Sequence, residues 1–592
     1  MASEDLSPFS YPPKLRWRAQ SGVVVILTLA LLVLLVGMLV IGFGNDLLRQ
    51  NETDQRTANA LSQAKEALIG FAANYPDAHP GEVFGYLPCP DLDGASGEGS
   101  TELNCGTTDV TVVGRLPWKT LGLPPLRDGD GECLWYAVSG NFKYNPKTDL
   151  MNWDTNGLLE IMAADGSNFV AGGSGTIADP TRRAAAVIFA PGKILPGQDR
   201  SLSAITPPAS CGGNYTAANY LDTDATSGIN NASAPSPTAN ALTRFVAAIN
   251  SERTTATNNF FNDRLAFISP DDIFARRAEL RSDFLPYLTD RTTGMLRLAA
   301  DCIVKYGKSN STASDKRLPW AAPTALPNYG LQSNYNDGVG FYSGRLPYTV
   351  NDSAQTSPLN ALAPSPSTLL ASPFCPSWSA TAAKFWSNWK DHVFYAVAQA
   401  FAPNSTVASN ADPCGGGLEC LTVDGTPKVA AVLIFAGIKQ SGQSRNTNAD
   451  YSSPDKSAPA NYLEGVNLAS IQSNIPGSPP WPRQFSNSAG NDAVMCVMND
   501  PSAGLIVDPI CGGVSACSTD GASLAAYRSG IANNCLQGKD KMQPACKTIV
   551  DRIKKNNCSC KASATDFVSK ECLTKGFTTT KCLNAYNGVL AC

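Results

Sequence analysis

Six short sequence words recur in the same order in two parts of the chain, and this repeat constrains the fold more than any other feature. GRLPW at 114–118 returns as GRLPY at 344–348, and LWYAV at 134–138 returns as VFYAV at 393–397. The other matched pairs are Leu87-Pro88 with Leu318-Pro319, Ile188-Phe189-Ala190 with Ile434-Phe435-Ala436, NYLD at 219–222 with NYLE at 461–464, and NDRLAFIS at 262–269 with NDAVMCVM at 491–498. Because the words keep their order, chance similarity is a poor explanation, and we expect two related lobes.

Each predicted lobe is a helix packed on a small sheet. LWYAV and AAVIFA are short, rich in aromatic and β-branched residues and bounded by Gly or Pro, which is typical of strands. A helical pattern at 294–310 stands before the second set of words as the pattern ending near Tyr75 stands before the first. With two copies found, an array of three or more stacked repeats is not indicated.

Length and charge narrow the classes of function. At 592 residues the chain is too long for one hydrophobic core, and two to four domains are expected. Charged residues make up 16%, below the roughly 25% of typical soluble domains. A net charge of −4 without a basic cluster gives no electrostatic basis for binding nucleic acid, and no such partner is expected.

The cysteines predict disulfide bonds and an oxidising compartment. There are 18, of which nine lie between Cys511 and Cys592, while Cys-x-x-Cys is absent and the histidines are only His79 and His392. Zinc sites need such convergent ligands, so disulfides are the better interpretation. Cys89 and Cys105 lie on either side of an acidic loop, and Cys414 and Cys420 are placed to close a small loop. Because the tail holds an odd number of cysteines, one of them is expected to pair outside the tail, and Cys496 is the obvious candidate. The tail candidates are Cys511, Cys517, Cys535, Cys546, Cys558, Cys560, Cys572, Cys582 and Cys592.

A run of 21 uncharged residues at 23–43 predicts a membrane anchor. A helix of this length spans about 32 Å, enough for a hydrocarbon core of about 30 Å. Lys14, Arg16 and Arg18 precede the run, so the N-terminus is expected in the cytoplasm and the rest of the chain outside. A cleaved secretory signal is the competing interpretation, but the apolar core exceeds the usual length of about 7–15 residues. The amphipathic stretch at 45–75 either continues this helix or forms a second, independent one.

Several of these features together resemble the type IV pilin and pseudopilin class. They are a leader ending in Gln20-Ser21-Gly22, an apolar helix directly after it, and the words Leu87-Pro88-Cys89-Pro90-Asp91 and Gly114-Arg115-Leu116-Pro117-Trp118. The resemblance covers about residues 14–275 and, more weakly, the second copy. It implies cleavage by a prepilin peptidase between Gly22 and Val23, which would leave Val23 as a methylated N-terminus.

The chain departs from most pilins at two positions. Pilins usually begin the mature chain with Phe and place Glu fifth, whereas this chain has Val23 and Leu27 there. In the pilin class that Glu neutralises the N-terminal amine of a neighbouring subunit in an apolar filament core, where an unpaired charge is costly. A chain without this Glu is a poor candidate for the repeated shaft and suits a minor or tip subunit; the alternative is a segment that is never cleaved and only anchors the protein.

The predicted fold class is α+β, in five segments. A long N-terminal membrane-anchoring helix packs on a pilin-like antiparallel lobe, followed by a second, duplicated α+β lobe and a small disulfide-rich helical module. The segments are a cytoplasmic leader at 1–22, a long transmembrane and amphipathic helix at 23–75, a first lobe at 76–275, a second lobe at 276–504 and a cysteine-rich module at 505–592.

Two acidic loops are candidate calcium sites. PDLDGASGEG offers alternating oxygen ligands around Gly94, and DGDGE at 128–132 is a second Gly-rich acidic loop that can converge with it. Hard cations such as Ca²⁺ prefer these oxygens. The alternative is a solvated acidic turn, since Asp-Gly is a common turn pair. The candidate ligands are Asp91, Asp93, Ser96, Glu98, Asp128 and Asp130.

Catalysis is not expected. His392 lies beside Asp391, and although a Ser–His–Asp arrangement is conceivable there, a lone surface histidine is the favoured interpretation. Trp378, Trp386 and Trp389 suit either a carbohydrate- or protein-binding face or, as their spacing favours, the core.

The sequence therefore predicts a non-enzymatic minor or tip subunit of a type IV pilus or type II secretion pseudopilus, acting in assembly, adhesion or surface binding. Its expected partners are other pilin or pseudopilin subunits, a prepilin peptidase, the membrane through residues 23–43, and a surface ligand. The expected location is the bacterial inner membrane with the C-terminus in the periplasm, or the cell surface after assembly. The alternative is an uncleaved, single-pass, membrane-anchored periplasmic binding protein or enzyme.

Overall fold

A computed structural model describes most of the chain between residues 21 and 511. The gaps in that range are 149, 204–207, 234, 248–260, 276–287, 290–293, 310–316, 351–366, 372–374, 404, 406–413, 415–419, 447–450, 473–482, 501–503 and 509–510. Within the first helix, the side chains of 21–25 and 35–48 are also outside the description. The predicted leader at 1–20 and the cysteine-rich module from 512 onward lie outside the described residues.

The described helices are one long helix and several short ones. They are α1 (Ser21–Ala78), α2 (Pro270–Ile273), α3 (Met295–Ser309), α4 (Ala380–Trp389), α5 (Pro454–Ser457) and α6 (Gly465–Gln472). Ser269 begins α2 with a reciprocal capping box to Asp272, and the hydroxyl of Ser379 caps α4 by accepting from the backbone of Ala382.

Most of the strands are short, as the sequence pattern indicated, whereas β15 and β17 have 10 and 8 residues. In chain order they are β1 (Val112–Arg115), β2 (Trp135–Val138), β3 (Leu159–Ala163), β4 (Phe169–Ala171), β5 (Gly173–Ser174), β6 (Ile177–Ala178), β7 (Ala186–Ala190), β8 (Thr243–Ala247), β9 (Arg264–Ile268), β10 (Ser343–Arg345), β11 (Thr349–Val350), β12 (Ser367–Thr368), β13 (Val393–Val397), β14 (Leu421–Val423), β15 (Thr426–Phe435), β16 (Gln484–Phe485), β17 (Ala493–Asp500) and β18 (Gly504–Asp508).

The repeated words occupy equivalent strands of two sheets. In the first lobe, β1, β2, β7 and β9 form an antiparallel sheet in that order. In the second lobe, β10, β13, β15 and β17 pair antiparallel in the same order, and β14, β16 and β18 extend the sheet. The arginines of the two matched words occupy the same position in their sheets, since Arg115 pairs with Trp135 and Arg345 with Phe394.

Each of these sheets has a helix packed against it. The C-terminal half of α1 contacts β7 and β9 with buried Ala64, Leu68 and Ala72, whereas α3 contacts β15, β17 and β18. Alternate residues of β2 face opposite sides, with Tyr136 and Val138 in the core that continues into the second lobe. Trp135 and Ala137 face a separate core beside a smaller sheet of β4, β3 and β8.

The predicted membrane-anchoring helix is corrected by the structure. Among the residues that the structure describes, no helix is long and apolar enough to cross a membrane. α1 itself is 58 residues long. The architecture is a mixed α and β fold with several sheets, and apart from α1 its described helices are short.

The prediction of disulfide bonding is confirmed, which indicates an oxidising extracellular or periplasmic compartment. Cys89 bonds to Cys105, Cys414 to Cys420, and Cys496 to Cys511. Two further disulfides, Cys133–Cys211 and Cys302–Cys375, were not anticipated from spacing. No described cysteine is free, and the tail cysteines from Cys517 to Cys592 lie outside the described residues.

Candidate functional site at the junction of the lobes

Both lobes contain the same polar motif, Gly-Gln-x-Arg, at 197–200 and 442–445. Arg200 donates to the backbone oxygens of Asn219 and Gly192, at 2.9 and 2.8 Å. Arg445 donates to the equivalent oxygens of Asn461 and Gly437. In each copy the glutamine oxygen accepts a bond from its arginine, so the two motifs are fixed in the same way.

Each motif contacts a pair of carboxyl groups, of which Asp222, Asp263 and Asp492 are buried and Glu464 is half-buried. Gln198 donates to Asp222 at 2.8 Å, and the backbone amide of Asp222 donates to Asp263. In the second copy Gln443 donates to Glu464 at 2.9 Å, and Glu464 is hydrogen-bonded to Asp492. Burial raises the pKa of Asp222 to about 6 and that of Asp492 to about 7. Burial and the charge of Asp222 raise the pKa of Asp263 well above its ordinary value.

These carboxyl pairs predict that the protein loses stability as the pH rises from about 4 to about 7. In the unfolded chain Asp titrates near 3.9, so across this window the folded state retains protons that the unfolded state has released. The free energy of unfolding therefore falls with rising pH. Between pH 4 and 7 the free energy of unfolding of Asp492→Asn is expected to fall by about 2–4 kcal/mol less than that of the wild type. Urea unfolding at a series of pH values measures the difference.

A matched control for that experiment is Asp165→Asn, because Asp165 is exposed and its carboxylate bonds only within its own turn. This variant is expected to keep the wild-type slope between pH 4 and 7. An Asp492→Asn variant with the same slope as wild type would contradict the assignment of the proton to this pair.

In the second lobe the motif extends into a charge network that joins the lobes. Besides Gly437, Arg445 contacts Asp154 of the first lobe at 3.3 Å. The same Asp154 oxygen lies 2.8 Å from Nε2 of His392. Nδ1 of His392 lies 3.0 Å from Asp391, and Lys456 forms an ion pair with the other oxygen of Asp391. All five groups are buried, which places two carboxylates against two cations and one imidazole in the interior.

The cations of this network hold both carboxyl groups ionised. Burial opposes the ionisation of Asp391, but Lys456 and His392 outweigh it and hold the pKa of Asp391 well below its usual range. For Asp154, burial is likewise outweighed by Arg445 and His392, which lower its pKa to about 2. Paired charges of this kind are tolerated in an interior because each is compensated by a partner.

The favoured interpretation of His392 as a surface residue is wrong. The short turn Lys390–His392 after α4 places its ring in the core, where Trp153 of the first lobe donates Nε1–H toward Nε2 at 2.8 Å. Nε2 thus faces both an indole donor and the carboxylate of Asp154, so a neutral ring accepts from Trp153 while a protonated ring donates to Asp154. Among the described residues no serine hydroxyl bonds to His392. Trp378, Trp386 and Trp389 are also buried in the core.

A cleft of about 300 Å³ opens beside this network. Residues of the first lobe form most of its wall, and the second lobe closes it with Asn446, Tyr451 and Lys456. The polar residues of the first-lobe lining are Asn141, Thr148, Asn152, Asp154, Thr155, Asn156, Arg183 and Asn240. Tyr451 and Asn240 both adopt a left-handed backbone, with φ of +59° and +60°.

The first acidic loop uses its predicted calcium ligands as hydrogen-bond acceptors. Asp91 is buried and accepts from the amides of Gly94 and Gly99, at 3.0 and 2.7 Å. Asp93 accepts from the amide of Ala95, and the hydroxyl of Ser96 donates to Glu102. Each of these bonds lies within the loop, so the side chains hold the loop's own conformation.

The remaining predicted calcium ligands, Glu98, Asp128 and Asp130, do not meet at one site. Glu98 accepts from the amides of Ser210 and Cys211, which ties the first loop to the Cys133–Cys211 disulfide. Asp128 accepts from Asp130, Glu132 and Gly192, while Asp130 lies in a second polar cleft beside α1. Among the described residues, no group of three or more His, Cys, Asp or Glu side chains is arranged to hold a metal ion.

Sequence reasoning missed the Gly-Gln-x-Arg motif, although a signal for it exists. The two copies of the motif are 245 positions apart. The neighbouring repeated words are separated by similar distances, 246 positions for Ile-Phe-Ala and 242 for NYL, so the motif belongs to the same repeat. Asp154 and Lys456 could not be found in this way, because neither residue lies in one of the repeated words.

Comparison of the chain with known protein families, with characterised proteins and with solved structures gives no match.

Proposed function

We propose that the chain is a minor or tip subunit of a type IV pilus or type II secretion pseudopilus, acting outside the cytoplasm in assembly or surface binding. The observation that carries this proposal is the division of α1 into two parts. Its C-terminal half is packed on the first sheet, whereas the aliphatic side chains described at 26–34 are 62–69% exposed. A row of exposed large aliphatic side chains on one helix indicates that another chain covers it.

The occupant that fits this row is the corresponding helix of neighbouring subunits. The resemblance to pilins places the same stretch at the start of the mature chain, where subunits bundle their helices. Leu27, at the position usually held by Glu, is itself exposed and offers no carboxylate to a neighbouring amine. This supports a role at a tip or as a minor component, with other subunits and a prepilin peptidase as partners.

The proposal predicts a processed N-terminus in the native host. Mass spectrometry of the purified protein is expected to find a peptide that begins at a methylated Val23, and the protein is expected in filaments sheared from cells. Gly22→Val serves as the control, since a peptidase that cuts after Gly22 should no longer release the leader. A wild-type chain that begins at Met1 or Ala2 would overturn the proposal.

A further inference from the structure

We propose that the cleft between the lobes is a binding site for a small, neutral, polyhydroxylated ligand, a mono- or disaccharide. The inference does not rest on filament assembly, because it depends only on the geometry of the cleft. Its volume of about 300 Å³ stands at the lower end of the range of ligand pockets, roughly 300–1,000 Å³. Both lobes contribute to the wall, so a ligand there would touch both.

The lining offers hydrogen-bonding groups that suit hydroxyls. Among the described residues, the side-chain oxygen of Asn141 is buried without a hydrogen-bond partner. Asn156 and Asn446 meet across the two lobes at 3.4 Å, a long contact that a bound hydroxyl can replace. A carboxamide presents a donor and an acceptor side by side, and a sugar hydroxyl can use both.

The charged residues of the lining are already paired, which favours a neutral ligand. Arg183 lies 3.2 Å from the carboxylate of Glu160. Asp154 is paired with Arg445 and His392, and Lys456 with Asp391. An anionic or cationic ligand would have to compete with a partner that is already in place, whereas a neutral one would not.

Strained backbone fixes an aromatic ring at the cleft. Tyr451, Asn240 and Asp109 all have φ near +60°, a left-handed conformation that Asn and Asp adopt readily but that is uncommon for a residue such as Tyr. The three are linked, because the amide of Asn240 donates to the backbone oxygen of Asp109 and the hydroxyl of Tyr451 donates to its carboxylate, both at 2.8 Å. Strain of this kind persists where the surrounding structure enforces it and is concentrated at functional sites. Here it holds Tyr451 where its ring can pack against the apolar face of a sugar.

Isothermal titration of the purified full-length chain with glucose, galactose, N-acetylglucosamine, maltose and lactose tests the proposal. We expect saturable binding of at least one of these sugars. Asn156→Ala and Asn446→Ala are each expected to weaken it about tenfold, the effect of losing one or two hydrogen bonds. Glucose 6-phosphate is expected to bind more weakly than glucose.

Two further variants separate loss of the site from loss of the fold. Leu242→Trp fills the cleft from an exposed position without removing a hydrogen bond, and it should abolish binding while the thermal unfolding midpoint stays unchanged. Asn487→Ala is the matched control, since Asn487 is a half-buried asparagine that bonds to Asp424 and does not line the cleft. No binding of any of the five neutral sugars would overturn the proposal, as would preferential binding of the phosphate or binding that survives Leu242→Trp. None of these results bears on the processed N-terminus that tests the filament proposal.

Discussion

Replacing Asp391 by alanine is expected to lower the free energy of unfolding by about 3–5 kcal/mol, because it leaves buried charge without a partner. Lys456 and His392 both face the Asp391 carboxylate, which also accepts from Asn152 of the first lobe and from Tyr462. Removal of the carboxylate thus breaks contacts within the second lobe and between the lobes. Urea unfolding of the full-length chain followed by tryptophan fluorescence measures the loss, since Trp389 lies against His392.

Two variants test whether the loss of stability in Asp391→Ala comes from the unpaired buried charge. Asp165→Ala removes an exposed carboxylate and is expected to leave the unfolding transition unchanged. Asp391→Leu combined with Lys456→Met removes both partners of the ion pair and is expected to recover much of the stability, because no ammonium group remains unpaired. If Asp391→Ala unfolded like wild type, the network would not stabilise the junction of the lobes.

Removing the Cys133–Cys211 disulfide with a double serine substitution is expected to cost about 4 kcal/mol. The two cysteines are 78 positions apart, so the bond restricts a long loop of the unfolded chain. The disulfide also joins the chain just before β2 to the segment whose amides, at Ser210 and Cys211, donate to Glu98. The spacing of the cysteines did not reveal this connection. Thermal or urea unfolding of the oxidised protein measures the effect.

The matched comparison is the Cys414–Cys420 disulfide, with a separation of 6. Its double serine variant is expected to lose about 2 kcal/mol, since a short loop has less entropy to lose on closure. Equal losses for the two variants would show that loop length does not set the contribution of these disulfides.

The repeated words carried much of the information about the two main sheets. LWYAV and AAVIFA form strands in the first lobe and GRLPW begins at the end of one, and their counterparts do the same in the same order in the second. Local composition was sufficient for this because a strand with aromatic and β-branched residues and Gly or Pro at its ends is recognisable without knowledge of its partner. The apolar run at 23–43 was equally visible, yet the described part of the chain contains no helix that qualifies as a membrane span.

The acidic loops illustrate a different limit of sequence reasoning. Asp91 and Asp128 have the residue type and spacing of cation ligands, but in the folded chain they accept bonds from backbone amides. Spacing along a loop does not tell whether a carboxylate points toward an ion or back toward the loop.

By itself, the sequence determined the duplication, the strands that carry it, and the oxidising compartment, because each depends on residues that are close together or on composition. Only the tertiary structure decided which charged residues meet. Asp154 and Arg445 are 291 positions apart, and His392 becomes a buried partner of both lobes only when α4 and its following turn dock against Trp153. Contacts of this range leave no periodicity in the chain, since they follow from how two separately formed sheets pack. The cleft beside them arises from the same packing.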